Sequence, residues 1–355
     1  MKIALVYDWV NKWGGAERVL LALHKIFPQA PLYTAVYDRE TASWAASFKV
    51  YTSFLNKLPF AKNNHEFFLP LLPFAFESFD FKNYDVVISV TSSLAKGIVT
   101  RPETFHLCYC LTPPRYLYLN VNDYAFFGIG NNLWKAIASK IRVWDQIASQ
   151  RPDKYLAVSE TVAGRIEKYY RKKAEVIYPP VDFEKDEVKP ERVVDKFFLI
   201  VSRLVPYKRV EIAVEAFNQL NLNLIIVGSG REEKRLKKMA KKKICFLKDL
   251  TDGELSWYYR HCQALIMTQE EDLGLSAIEA QSKGTPVIAF RFGGASETVN
   301  SKSGCFFYPQ NSRALILALR QFKRDKFKEK DCQRNALKFN FESFKEGIMR
   351  SINTT

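Results

Sequence analysis

Short apolar runs alternate with amphipathic segments along most of this chain, and that alternation leaves few folds open. Ile3–Tyr7, Leu32–Val36, Val86–Val90, His106–Cys110, Tyr155–Val158 and Val176–Tyr178 read as buried strands. Helices are expected at Ala16–Phe27, with Val19, Leu20, Leu23, Ile26 and Phe27 on one face, and at Thr161–Tyr170, which Ser159 can cap. Strands and helices in this order build a parallel sheet covered on both faces. Tyr178-Pro179-Pro180 breaks the pattern, and the charged stretch Asp182–Lys196 reads as a linker. The alternation then restarts with strands at Phe197–Val201, Leu224–Val227, Ile244–Leu247, Ala264–Met267 and Val287–Phe290. Helices at Arg209–Leu220, Glu232–Lys241, Asp252–His261 and Leu275–Ser282 lie between them. The expected class is α/β, with two facing Rossmann-like domains over residues 1–180 and 181–340. Periodicity makes Phe341–Ile352 one more helix without assigning it to either domain.

The 355 residues suit two domains at roughly 150 residues each. Hydrophobic residues at 47% and charged residues at 26% exclude disordered and coiled-coil architectures. Lys+Arg 53 against Asp+Glu 38 leaves +15, which points to an anionic partner: nucleic acid, a nucleotide or an acidic membrane surface. Cutting after Pro180 gives 22 basic and 15 acidic residues before and 31 and 23 after, so +7 and +8, and no single basic tail holds the excess. The six cysteines form neither a Cys-x-x-Cys motif nor a disulfide framework, and a reducing cytoplasm is the expected setting. The first apolar run is stopped by Asp8 and reads as a strand rather than a signal peptide. Phe67–Phe76, interrupted by Pro70 and Pro73, is about half the length a membrane span needs, so no transmembrane helix is expected.

Ligands of doubly wound sheets sit beyond the carboxyl ends of the strands. After the first strand comes Trp13-Gly14-Gly15-Ala16-Glu17-Arg18, where glycines admit a ligand close to the backbone and the next helix aims its amides at an anion. The same turn serves equally as a plain connection. After the first strand of the second half, Arg203 and Lys208 can converge on a phosphate pair, or simply form a solvated basic loop. Glu270-Glu271-Asp272-Leu273-Gly274-Leu275 crowds carboxylates at a strand end. Glu279 follows on the next helix among Ala277, Ile278 and Ala280, where an acid needs a partner such as a ribose diol. Phe292-Gly293-Gly294-Ala295 is a further glycine turn whose amides can face phosphate or sugar hydroxyls, and Gly228-Ser229-Gly230 is too short a motif to mark a dinucleotide site.

Together these sites resemble the retaining glycosyltransferases of family four, which have the GT-B fold of two Rossmann domains. The pair Glu271 and Glu279, spaced Glu-x7-Glu and followed by Gly284-Thr285-Pro286-Val287, is the most specific element. Val201-Ser202-Arg203-Leu204-Val205-Pro206-Tyr207-Lys208-Arg209, Tyr178-Pro179-Pro180-Val181-Asp182 and Gly293-Gly294-Ala295-Ser296-Glu297 are also similar to that family. Within it the wording resembles bacterial mannosyltransferases of O-antigen and other surface polysaccharides. The resemblance implies that the second domain holds a nucleotide sugar and the first holds the acceptor. Arg203 and Lys208 would then grip the donor diphosphate and Glu279 the ribose. Glu271 would take the transferred sugar together with amides of Leu273 and Gly274, with Leu275 beside them. Gly14 and Gly15 would border the phosphates. The resemblance also implies that residues 341–355 return to the first domain, and that the segment reading Leu111-Thr112-Pro113-Pro114-Arg115 carries leucine where relatives usually have histidine. His106, on a strand, reads as a packed histidine.

No Asp-x-Asp occurs in the chain, so the usual metal–diphosphate clamp is absent. Cationic side chains and helix N-termini must offset the leaving-group charge, and neither a metal nor another cofactor is expected. The implied donor is GDP-mannose and the implied acceptor a glycan or a lipid-linked glycan. Ser53–Phe81 holds eight Phe beside Lys57, Lys62 and Lys82. Phe126, Phe127, Leu133, Trp134, Ile137, Ile141 and Trp144 alternate with Lys135, Lys140, Arg142 and Arg151. Such basic aromatic stretches suit peripheral contact with an anionic inner leaflet, and core packing explains the aromatics as well. Nucleic acid is not an expected partner, since no helix-turn-helix or RNA-binding signature is present. A dehydrogenase is disfavoured by the missing Gly-x-Gly-x-x-Gly. Leu111 keeps a catalytically silent nucleotide-sugar binder or assembly partner as the second reading.

Overall fold

A computed structural model describes residues 1–119, 121, 131–181, 186–191 and 193–353. Two compact units emerge, Met1–Pro180 with Glu342–Thr355, and Val181–Phe341. In the first unit the strands are β1 (Ile3–Tyr7), β2 (Leu32–Thr34), β3 (Val50–Thr52), β4 (Val86–Thr91), β5 (Phe105–Cys110), β6 (Lys154–Ala157) and β7 (Ala174–Val176). Its helices are α1 (Gly15–Ile26), α2 (Leu72–Glu77), α3 (Arg115–Tyr118), α4 (Asn131–Ala148) and α5 (Glu160–Tyr170). The second unit holds β8 (Phe197–Val201), β9 (Asn223–Val227), β10 (Ile244–Leu247), β11 (Leu265–Met267), β12 (Val287–Phe290) and β13 (Gly304–Phe307). Between and after these run α6 (Val210–Leu220), α7 (Glu233–Met239), α8 (Asp252–His261), α9 (Leu275–Ser282), α10 (Ala295–Thr298), α11 (Ser312–Gln321) and α12 (Glu329–Ala336). The last helix, α13 (Phe341–Asn353), belongs almost wholly to the first unit.

Both sheets are parallel, in the orders β3-β2-β1-β4-β5-β6-β7 and β10-β9-β8-β11-β12-β13. Each starts in the middle and winds outward in both directions, so the order reverses between β1 and β4 and between β8 and β11. Strands covered on both faces must be apolar throughout, and β4 is buried at every position. Ser159 accepts a hydrogen bond from the Val162 N–H at 3.1 Å and caps α5 as its sequence suggests. The short edge strands β3 and β13 lie outside the pattern-based reading, because three or four residues with a partly exposed side chain give no usable period.

One segment differs from expectation. Residues 186–191 do not hang as a free linker: the Val188 N–H donates to Gly253 O at 3.1 Å. Glu187 meanwhile lies 3.5 Å from Arg260 on α8. Asp182, quoted in the motif after Pro180, lies outside the described residues, as do Phe126 and Phe127. α13 docks on the first unit through the Phe344 ring, 5.8 Å edge-on from Tyr109. Arg350 reinforces the docking by donating to Glu175 Oε1 at 2.6 Å.

Candidate functional site

In the second unit the chain leaves β8 through Ser202–Arg209 and leaves β11 through Thr268–Gly274, the two loops flanking the point where strand order reverses. There the Lys208 ammonium donates to Glu271 Oε1 at 2.5 Å, with side-chain exposures of only 11% and 15%. Gln269 Nε2 donates to the same oxygen. Thr268 Oγ1 donates to the Lys208 carbonyl at 2.8 Å, fixing the loop that carries the lysine. Burial alone would push the Glu271 carboxyl upward. The charge of Lys208 and the hydrogen bonds from Lys208 and Gln269 outweigh that effect and hold it below the usual carboxylate range. Glu271 is therefore a carboxylate at neutral pH.

The other expected residues arrange around this pair. Arg203 is exposed and donates to the Tyr207 hydroxyl at 2.6 Å. The Lys208 ammonium lies 5.4 Å from the centre of the same Tyr207 ring. Glu279 projects from α9 and accepts from the buried Tyr259 hydroxyl of α8 at 2.6 Å. Leu273 and Gly274 are buried between the Glu271 turn and α9, which Leu275 opens. Gly293 and Gly294, whose turn could equally face a ligand or serve the fold, clamp the acidic loop. The Gly294 N–H donates to Glu271 O at 2.8 Å. A Cβ at Gly293 would come within 2.5 Å of that oxygen, and one at Gly294 within 2.3 Å of Leu273 Cα. Of the residues assigned to the donor, the fold brings Lys208 and Glu271 into contact and keeps Arg203 and Glu279 on the flanking elements.

In the first unit the equivalent point lies between β1 and β4, and a carboxylate spans it. Asp8, fully buried, accepts from Thr91 Oγ1 at 2.8 Å, Ser92 N–H at 2.7 Å and Ala95 N–H at 2.9 Å. Burial raises its pKa against those hydrogen bonds. Gly14 precedes α1, and Gly15 is the first residue of the helix. The Glu17 carboxylate, which accepts from Tyr7 Oη at 2.7 Å, comes within 3.1 Å of where a Gly14 side chain would start. Leu111 follows β5 and is partly buried, its N–H donating to Thr91 O at 2.8 Å. His106 is fully buried with Nε2 at 2.8 Å from Ser89 Oγ, and burial, with a smaller push from Arg151, lowers its pKa to about 3. It is a neutral packing histidine. Asp8, read as the residue that stops the first apolar run, was assigned no role, and Gln269, Thr268 and Tyr259 escaped motif reading. The first three directly follow central strands, and that position was the available signal.

The basic aromatic stretches sort into core and surface. Trp134 and Ile141 are buried, and Ile137 and Trp144 pack against the same core. The exposed face of α4 instead carries Leu133, Val143 and Ile147 with Lys135 and Lys140. Phe67, Leu71 and Phe74, at helical spacing, are exposed with Phe54 and Phe60, whereas Phe76 and Phe81 are core. Among the described residues no helix is long and apolar enough to cross a membrane.

Residues 182–339 match the family described as Glycosyl transferases group 1. An uncharacterized glycosyltransferase of Methanocaldococcus jannaschii is 28% identical over 165 residues, 45% of this chain and 46% of that protein. The O-antigen chain mannosyltransferase C of Escherichia coli is 27% identical over 195 residues, 50% of each chain. The chain thus spans half or less of the length of these curated relatives. The structure of Anabaena HepE in complex with UDP-glucose superposes with a TM-score of 0.73 over 100% of both chains at 18% identity, which shows a shared GT-B fold.

Proposed function

We propose that this chain, whose residues 182–339 match the glycosyl transferases group 1 family, is a retaining, metal-independent hexosyltransferase. It moves mannose from GDP-mannose to a glycan or lipid-linked acceptor in cell-surface glycan synthesis. The observation that carries this reading is the Lys208–Glu271 pair across the strand-order reversal, with Arg203 and Glu279 on the flanking elements. A cation and a carboxylate paired at 2.5 Å offer a binding diphosphate and sugar two ready exchanges. Lys208 turns from Glu271 to the donor phosphates, and Glu271 turns to the sugar hydroxyls. As the bond from the anomeric carbon to the phosphate oxygen breaks, charge grows on the diphosphate. Lys208, Arg203 and the amides at the start of α9 stabilise that charge. The acceptor oxygen bonds to the same face of the anomeric carbon, and its proton passes to the departing phosphate. Orientation and charge stabilisation are then the enzyme's main contributions. The mannosyl donor rests on the motif resemblance and on the similarity to an O-antigen mannosyltransferase.

A thermal-shift panel of GDP, UDP, ADP and their sugars tests this reading. GDP and GDP-mannose raise the melting temperature by mass action, and Glu279→Ala loses the rise. An unchanged rise in the variant removes Glu279 from the donor site. A second reading, a silent nucleotide-sugar binder, is favoured by Leu111. It prevails if the protein binds GDP yet releases none from GDP-mannose with any glycan acceptor.

The exposed face of α4 and the exposed Phe54, Phe60, Phe67 and Phe74 support peripheral contact with an anionic leaflet. Flotation with phosphatidylglycerol vesicles, but not with phosphatidylcholine vesicles, is the expected result. Loss of flotation in Val143→Ser/Ile147→Ser locates the contact on α4.

A further inference from the structure

Two large aromatic side chains stand exposed at the ligand end of the second unit. Phe292, 49% exposed, follows β12, and Tyr308, 64% exposed, follows β13. Single exposed apolar residues are ordinary on any surface, but these two belong to a ladder. The Phe292 and Tyr308 rings meet edge-to-face at 5.6 Å. Phe292 lies 5.5 Å from Phe290, which lies 5.9 Å from Phe307, and both inner rings are buried. The outer rings are thus the exposed end of a stack rooted in the core.

The shelf is also tied to the charge pair from both sides. Gly293, next to Phe292, bridges to Glu271 as a parallel partner. Gln310, two residues beyond Tyr308, donates to Thr268 O at 2.8 Å, and Thr268 in turn donates to the Lys208 carbonyl. Glu279, the residue assigned to ribose, is held from α8, the crossover between β10 and β11. Phe292 and Tyr308 follow β12 and β13, on the opposite side of β11 from β8, and α9, which carries Glu279, joins β11 to β12.

From this arrangement we propose that Phe292 and Tyr308 form a saccharide subsite that takes a pyranose ring of the acceptor. The donor-binding unit then recognises the acceptor directly. A pyranose presents a C–H face that packs on an aromatic ring, while its rim of hydroxyls reaches polar neighbours such as Glu270, exposed beside Gly293. Two rings suit one or two sugars, far less than the area a protein partner needs. The inference rests on the glycosyltransferase reading and is tested apart from it.

The test compares wild type with Phe292→Ala, Tyr308→Ala, the double variant and Phe292→Leu. Saturation-transfer NMR to methyl α-mannoside and methyl N-acetyl-α-glucosaminide is recorded with and without GDP, and GDP affinity is measured by calorimetry. Expected are transfer to at least one glycoside in the wild type, binding weakened about five- to tenfold by each alanine, and loss of signal in the double variant. Phe292→Leu, which keeps apolar area without the ring, behaves like the alanine. GDP affinity stays within about twofold throughout. No transfer in the wild type, or equal transfer in the double variant, overturns the subsite. A fall in GDP affinity parallel to the loss of glycoside assigns the rings to the nucleobase instead. Failure of GDP to bind wild type, with glycoside transfer intact, defeats the donor assignment and leaves the shelf standing.

Discussion

Replacing Lys208 by methionine removes an ammonium from a nearly buried carboxylate while keeping most of the stem. Glu271, 15% exposed, retains the Gln269 amide as a hydrogen-bond donor. A hydrogen bond to a charged group contributes about 1.5–3 kcal/mol, and stranding a fully buried charge costs about 3–5 kcal/mol. The residual exposure and the Gln269 bond place Lys208→Met near the lower end, about 2 kcal/mol, or roughly 4–8 °C in melting temperature for a domain of this size. Glu271→Gln strands an ammonium on a flexible stem and costs about 1 kcal/mol. The double variant leaves no unpaired charge, so it falls short of the summed singles by about 1–2 kcal/mol. Calorimetric unfolding of all four proteins measures that coupling, and additivity of the two changes would refute it. Nucleotide binding gives a second, less obvious outcome. Because Lys208 must leave Glu271 to reach a diphosphate, Glu271→Gln binds GDP as tightly as wild type or several-fold more tightly, while turnover is lost. Lys208→Met weakens GDP roughly tenfold or more. Equal weakening of GDP in both variants would show that the carboxylate does not compete for the lysine.

Three further outcomes follow from the same contacts. Between pH 7 and pH 3, the melting-temperature gap between wild type and Lys208→Met narrows. The lowered pKa of Glu271 supplies stability that is present above its unfolded value of about 4.3 and is lost as pH falls through the folded value, so a constant gap would exclude this origin. Asp8→Ala leaves the Thr91 hydroxyl and the Ser92 and Ala95 amides without their acceptor, and urea unfolding is expected to show a loss of about 2–4 kcal/mol. Phe344→Ala removes a ring that is 1% exposed and costs about 3–5 kcal/mol, detected as loss of amide protection in α13 and β5 by hydrogen exchange.

Much of the fold was legible because parallel strands buried on both faces must be continuous apolar runs, as in Ile3–Tyr7, Phe197–Val201 and Val287–Phe290. The motif residues Lys208 and Glu271 were legible as individuals. Their contact was not, since 63 positions separate them and only the strand order β8-β11 makes their loops neighbours. The reading of Phe126–Arg151 stayed divided between membrane face and core for a related reason. Composition names the residue types present, but the phase of a helix decides which of them face outward. In α4 that phase buries Trp134 and Ile141 and exposes Val143 and Ile147.

The glycines show most clearly how motif and site connect. Gly228-Ser229-Gly230 is too short for a dinucleotide fingerprint, yet both glycines are required for another reason. Their φ values of 139° and 155° are strained for any other residue. A Cβ would come within 2.0 Å of Ser202 O at Gly228 and within 2.3 Å of Leu204 O at Gly230. The Leu204 N–H donates to Ser229 O at 2.8 Å, which locks the turn after β9 onto the turn after β8. These glycines therefore let one backbone approach another, and the backbone approached carries Arg203 and leads to Lys208. Gly293 and Gly294 do the same for the Glu271 loop. In each case the glycine turn sits one strand away from the charged residue, so the residues that position the charge pair belong to neighbouring strands. Gly228→Ala is accordingly expected to move the Arg203 loop and weaken GDP binding, although Gly228 lies outside the set of residues assigned to the donor. Retention of wild-type GDP affinity in a folded Gly228→Ala protein would show that the loop holds its place without that contact.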